Sequence, residues 1–165
     1  MKTRSETLIE AYGMEKHVEG GSFTEVYTSA EEKDGRALAG SIYFLLGEGE
    51  TSCFHEIDCE EIWYYHEGCG MRITVLTPDG RKEELLLGKN FDQGERAMAA
   101  VPKGSIFAAE NLDETGFTFV SCVTSPKFSL NGYRIVGRDE IEEKYPGLSS
   151  ELIHLIRQNP GEDPS

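Results

Sequence analysis

Basic residues are scarce in this chain. Lys and Arg together number 16 against 30 Asp and Glu, so the formal charge of the 165 residues is −14. Nucleic acids and anionic membrane surfaces both demand a basic face, and neither is expected as a partner. Long apolar runs are also lacking: no segment approaches the ~18–20 apolar residues that span a bilayer. The opening Met1-Lys2-Thr3-Arg4-Ser5-Glu6 leads into no apolar core, so no signal peptide is expected and the chain reads as cytoplasmic. Cysteine is sparse. Cys53, Cys59, Cys69 and Cys122 read as reduced thiols rather than a disulfide frame. There is no internal repeat, no low-complexity segment and no acidic tail. The last stretch, Asn159 to Ser165, is expected to be frayed, yet it holds only two of the acids. The acidity therefore belongs to the folded body and reads as surface solubility.

What is present suggests one domain, 1–165, able to bury roughly 70% of the surface its unfolded chain exposes. The N-terminus reads as a short helix over about 4–12. Thr3 and Glu6 have capping-box spacing, Leu8 and Ile9 supply a small apolar face, and Gly13 is a stop. From about 15 to 137 the period changes. Runs rich in β-branched and aromatic residues recur at Ser22–Thr28, Ser41–Leu46, Glu61–Tyr65, Met71–Leu76, Glu83–Leu87, Ala97–Val101, Ser105–Ala109, Phe117–Val123 and Tyr133–Val136. Pro78-Asp79-Gly80 is a hairpin signal between two of them. Evenly spaced strands with no long helix between them predict an all-β sandwich or barrel. Helix returns over about 139–158: Asp139 and Glu142 have capping-box spacing, Pro146-Gly147 breaks the chain, and Ser149–Gln158 carries Leu152, Leu155 and Ile156 on one face.

The stretch from Gly49 to Gly68 carries the chemistry. Gly49 is followed after five residues by His55, then Ile57, Glu61 and, after six more, Gly68. This spacing resembles the first motif of the cupins, with Ile57 where the pattern has a second histidine. Pro102-Lys103-Gly104, then Phe107 and Asn111, resembles the second motif, with Phe107 where the pattern has its third histidine. Residues i and i+2 of a strand point to one side. A His-x-His pair, a Glu and a later His can thus close around one metal, and imidazole with carboxylate suits Zn, Fe, Mn, Cu or Ni. Here apolar Ile57 and Phe107 replace two ligands, so no metal and no other cofactor is expected. Cys53, two residues before His55, is off-pattern.

A second resemblance spans Glu15 to Phe128. His17-Val18-Glu19-Gly20-Gly21-Ser22-Phe23 looks like the HPEGG-x-F opening of the small cupin 5 family of RmlC-like cupins. Ser41-Ile42-Tyr43-Phe44-Leu45-Leu46 is similar to its next block, Cys59-Glu60-Glu61-Ile62-Trp63 to its SDE-x-W block, and Pro102-Lys103-Gly104-Ser105 to its P-x-G turn. Ser125-Pro126-Lys127-Phe128 stands where that family usually reads APGF. Val18, Cys59, Phe107 and Lys127 depart from the pattern, and these departures leave the residues at positions 55 and 61 themselves unaltered. The resemblance implies a double-stranded β-helix (the cupin jelly roll) with short terminal helices, a pocket at one barrel mouth and a homodimer. It implies no established reaction.

The site candidates follow. His55 and Glu61 occupy family positions that point into the barrel, where an unpaired polar pair is costly. Trp63, two residues after Glu61, should share its inward face and wall a ligand, or simply pack in the core. Tyr43 is a candidate donor, although Ile42, Phe44 and Leu46 or Tyr43 and Leu45 are equally plausible buried sets. Phe107 is a second ligand-binding candidate. Arg72, or Arg134, would meet an anionic ligand if it pointed inward. His66 alternates away from Glu61, His17 and Glu19 sit in a Gly-rich turn, and His154 reads as helix surface. Cys59 and Cys69, in turns, are the candidate reactive thiols. Three functions compete. The first is a metal-independent epimerase- or isomerase-like enzyme on a sugar or carbonyl compound, with His55 as base, Glu61 orienting it and Tyr43 donating. The second is a small-molecule binding or sensing module. The third is a metal-dependent dioxygenase or isomerase around His55 and Glu61.

Overall fold

The computed structural model describes residues 1–157. The chain opens with α1 (Arg4–Tyr12), followed by β1 (Glu15–Lys16), β2 (Ser22–Thr28), β3 (Glu32–Lys33), β4 (Arg36–Ala37), β5 (Gly40–Leu46), β6 (Thr51–Ile57) and β7 (Glu60–Gly68). Next come β8 (Met71–Leu76), β9 (Lys82–Leu87), β10 (Met98–Val101), β11 (Ile106–Asn111), β12 (Thr118–Ser125) and β13 (Tyr133–Ile135), then α2 (Arg138–Lys144) and α3 (Leu148–Glu151).

Two antiparallel sheets face each other. One runs β1-β2-β5-β12-β7-β10 and the other β13-β6-β11-β8-β9, with β3-β4 as a separate ribbon. This is the expected jelly roll: from β5 to β13 successive strands pass to opposite sheets, apart from the β8–β9 hairpin, and the inner faces make the core. That core is Phe44, Leu46, Ile57, Trp63, Met71, Ile73, Val75, Leu87, Val101, Phe107, Val120 and their neighbours. The hairpin at Pro78-Asp79-Gly80 forms between β8 and β9, closed by the Thr77 N–H donating to the Arg81 carbonyl at 2.8 Å.

The outer faces are covered as well. On the six-stranded sheet, Leu8 of α1 and Met14, just past its C-cap, pack over Leu45 and Phe119. Its N-terminus carries the expected capping box, with Thr3 and Glu6 each accepting from the other's backbone, and Gly13 closes it in the left-handed conformation. On the five-stranded sheet, Phe54, Leu76, Ile106 and Ala108 are capped by Ile141, Tyr145, Leu152, Leu155 and Ile156.

The C-terminal helices differ from expectation. Gly137, not Asp139, sits at the N-cap of α2, and Asp139 and Glu140 lie in its first turn, where they complement the helix dipole. The expected helix over 149–158 is one turn of α3 and a 3₁₀ turn, Ile153–Leu155, because its apolar residues follow the sheet surface rather than a continuous helical stripe. Gln158 and the stretch 159–165 lie outside the described residues.

Four strands were not marked by their composition: the two-residue β1, β3 and β4, and the seven-residue β6. Thr51–Ile57 holds few β-branched residues, because the side it turns inward is partly polar. That polarity belongs to the site.

Candidate functional site

Three elements meet at one barrel mouth. β6 presents His55, which lies opposite Phe107 on β11 and Ile135 on β13. β7 presents Glu61 and Trp63 on one face, opposite Thr124 and Cys122 of β12. The third element is the turn between β1 and β2, which supplies His17 and Glu19. Backbone bonds hold it: the His17 N–H donates to Gly21, the Gly20 N–H to His17 and the Cys53 N–H to Glu19, at 2.9, 3.1 and 2.9 Å. Gly20 has φ +111°, and a Cβ there would lie 2.0 Å from the Thr51 carbonyl oxygen, so only glycine lets the turn approach β6 this closely.

These elements enclose a cavity of about 450 Å³. Its walls are apolar, with Phe23, Ile42, Phe44, Ile57, Trp63 and Phe128, and its floor is His17, Glu19, His55 and Glu61. Both Trp63 and Phe44 are fully buried.

The floor has an internal order. Glu19, 9% exposed, accepts from His55 Nε2 at 2.8 Å. His55 Nδ1 lies 2.7 Å from the Cys53 carbonyl. Both partners of the ring are acceptors, so an imidazolium donates to each. Burial opposes that charge, but the Glu19 carboxylate outweighs it and raises the His55 pKa. Glu19 mirrors this: burial pushes its carboxyl up, His55 and His17 pull it down, and the balance is lowered. His17 Nδ1 accepts from the Glu19 backbone N–H at 3.3 Å, and burial lowers its pKa despite Glu19, leaving a neutral ring.

Glu61 behaves in the opposite way. Burial, reinforced by the negative charge of Glu19, pushes it up to about 8, while His55 and the Trp63 indole offset part of the rise. The Trp63 Nε1 atom is itself buried with no partner within hydrogen-bonding distance, so its influence on Glu61 is that of a nearby dipole. At neutral pH the floor thus holds one ionised carboxylate and one protonated carboxylic acid. Environments that drive two acids apart in this way assign a proton acceptor and a proton donor.

Several candidates are corrected by the fold. Glu61 does not orient His55; Glu19 does, and it was read only as part of a Gly-rich turn. The one sign of it in the sequence was the HPEGG-like block itself. Tyr43 faces away from the cavity. Its ring packs against Tyr12 and Phe119 at centroid distances of 4.8 and 5.4 Å under α1, and Ile42 and Phe44 take the inward side. Arg72 points outward, 3.7 Å from Glu84 and 3.8 Å from Glu110, because Met71, Ile73 and Val75 claim the inner face of β8. Arg134 likewise pairs outside with Glu56 and Glu140. Phe107 is buried behind His55, its ring centroid 4.2 Å away, and supports the imidazole without lining the cavity. Trp63 lines it.

The cysteines are free. Cys59 is buried and its thiol is pushed up to about 11, which is contrary to a reactive thiolate. Cys53 opens instead onto a second hollow, of about 500 Å³, behind the His17–Gly21 turn. His66 is on the outer face, hydrogen-bonded to Ser121. Among the described residues no three or more His, Cys, Asp or Glu side chains are arranged to hold a metal ion. Ile57 and Phe107 occupy the positions where a metal-binding cupin has ligands, and His55 spends both nitrogens on protein acceptors. The residues present do not fit a metal.

A double-stranded β-helix with a side-chain-lined pocket at one mouth defines a cupin. The chain belongs to the Cupin_5 family of the cupin superfamily (DUF985), whose model matches residues 6–136. Among solved structures, it is similar to a protein from Shewanella oneidensis at 33% identity and a TM-score of 0.89, covering 96% of this chain and 100% of that one. A hypothetical protein from Leishmania major is similar at 26% identity and a TM-score of 0.86, covering 94% and 100%. Oxalate decarboxylase from Bacillus subtilis shares the fold alone, at 20% identity and a TM-score of 0.56 over 89% of this chain and 40% of that one. No curated protein matches. No helix among the described residues is long and apolar enough to cross a membrane.

Proposed function

We propose that the protein binds a small molecule in the barrel cavity and moves a proton on it, without a metal or other cofactor, as an isomerase-like catalyst on a carbonyl compound. The observation that carries this is the pair of buried carboxyl groups, Glu19 and Glu61, driven to opposite protonation states at the floor of a cavity with aromatic and aliphatic walls. Glu61 donates its proton to the carbonyl oxygen as Glu19 accepts the proton from the adjacent carbon, giving an enol. Return of a proton from Glu19 to carbon, and of the enol proton to Glu61, completes the exchange. His55 holds Glu19 ionised and in place, so its role is orientation and not that of a base.

The test is α-proton exchange in D₂O with ring ketones, such as 2-indanone, that bind in a thermal-shift screen. Exchange should exceed that in buffer and fall by about 10²–10⁴ in Glu61→Gln. Exchange unchanged by Glu61→Gln would overturn the assignment.

A second reading is a binding or sensing module without turnover. It is favoured by one feature: Glu19 and His55 satisfy each other with no ligand present. Ligands that bind yet exchange no faster than in buffer would decide for it. We also propose a homodimer through the free edge of β10, where Met98 and its cross-strand neighbour Tyr64 are 49% and 42% exposed. Light scattering that gives a monomer mass would end that proposal.

A further inference from the structure

We infer that the ligand is an uncharged ring compound with a carbonyl or hydroxyl head, and that the cavity rejects anions, including phosphorylated sugars. This rests on the barrel cavity being the functional site, and it names the class of ligand that cavity takes.

The charges around the cavity carry the argument. Its two lysines are already paired at the rim. Lys16 bonds Glu50 at 2.7 Å, and Lys127 bonds Glu25 at 2.5 Å and the Thr28 hydroxyl at 2.8 Å. Among the described residues no arginine lines it. An entering anion would pass Glu15 and Glu25 and come to rest against the ionised Glu19, and among the described residues lining the cavity the cations are engaged already, Lys16 and Lys127 at the rim and His55 on Glu19 and the Cys53 carbonyl. Such a site is the reverse of one built for phosphate, which gathers arginines, lysines or helix N-termini.

A cation is also poorly matched. The charge of Glu19 is already answered by the His55 imidazolium, whose Nε2 lies 2.8 Å away. What remains open is apolar and aromatic: Phe23, Phe44, Trp63 and Phe128 offer ring faces and edges to a flat body. The polar floor lies at one end, so it orients a single polar head. A pocket of this make-up, apolar walls with few convergent polar groups, is suited to a compact ligand placed by one end.

Three probes of one shape test this in the intact protein: 2-phenylacetamide, 2-phenylacetate and 2-phenylethylammonium, titrated calorimetrically at pH 7. The amide should bind at least tenfold tighter than either ion. In Trp63→Ala its affinity should fall at least fivefold, and a nitrogen-edited NMR spectrum that keeps its dispersion shows that this variant folds. Tighter or equal binding of the carboxylate or the ammonium overturns the inference, as does failure of all three to bind at millimolar concentration. The outcomes are separable from those of the catalytic proposal. Amide binding without any α-proton exchange leaves the ligand class standing and removes the catalysis. Exchange confined to a charged ketone keeps the catalysis and removes the ligand class.

Discussion

Replacing Glu61 by Gln should raise the stability of the protein in alkali and flatten its pH dependence. In the unfolded chain this carboxyl titrates near 4.5, and in the fold burial and the Glu19 charge push it up to about 8. Between those values the folded state keeps a proton that the unfolded state has released. Stability therefore falls as pH rises through this window, and is unaffected by Glu61 below it, where both states are protonated. At ~1.36 kcal/mol for each decade of pH, the full amplitude is on the order of 5 kcal/mol. Glutamine has nearly the same shape and never ionises. Wild type and Glu61→Gln should run parallel below about pH 4 and diverge steadily from there up to about pH 8, with the variant gaining in relative stability. Urea unfolding at each pH is the assay, provided the denaturant slope stays constant. The other titratable groups around Glu61 are His17 and Glu19 from the turn, His55 from β6, Cys59 just before β7 and Cys122 from β12. They are common to both proteins, so the difference between the two curves isolates Glu61. Curves that stay parallel over the whole range would refute the reasoning, because they would mean that Glu61 is already ionised in the fold at neutral pH.

Other predictions follow from the same geometry. His55→Ala leaves Glu19 buried and unpaired and should cost about 3–5 kcal/mol, read as a fall in Tm; adding Glu19→Gln should recover part of it, and simple additivity would show that the two are not coupled. Gly20→Ala places a Cβ against the Thr51 carbonyl at a positive φ, so it should lose at least ~1–3 kcal/mol and weaken ligand binding with it. Tyr43→Phe should leave ligand affinity unchanged, since the ring lies under α1; a marked loss of affinity in calorimetry would contradict its placement. Arg72→Gln, outside the barrel, should likewise leave affinity unchanged and alter stability by no more than ~0.5 kcal/mol.

How much of the site was legible can be judged residue by residue. Glu61 and Trp63 fall two apart on a strand, and period-2 alternation puts them on one face without further information. His66, at odd spacing from Glu61, was correctly expected on the other. β5 was ambiguous because both its faces are buried, one in the barrel and the other beneath α1, so apolar residues alternate with apolar residues. Arg72 was undecidable for a related reason: its strand is rich in hydrophobic residues, and only the neighbouring β9 and β11, which supply Glu84 and Glu110, show where the guanidinium goes.

The chain's own sequence determined an all-β body and its corners, because these rest on local features, turn residues and strand periodicity; the jelly roll was what the resemblance to the cupin 5 family implied, and the resemblance to the cupin motifs marked residues 57 and 107 as apolar where that pattern has histidines. The sequence could not determine the partner of His55. Glu19 and His55 are 36 positions apart by their numbering, and their 2.8 Å bond exists only because a glycine turn folds against β6. The protonation of Glu61 was equally out of reach. A carboxyl's pKa is set by burial and by the charges around it, and both are properties of the assembled barrel.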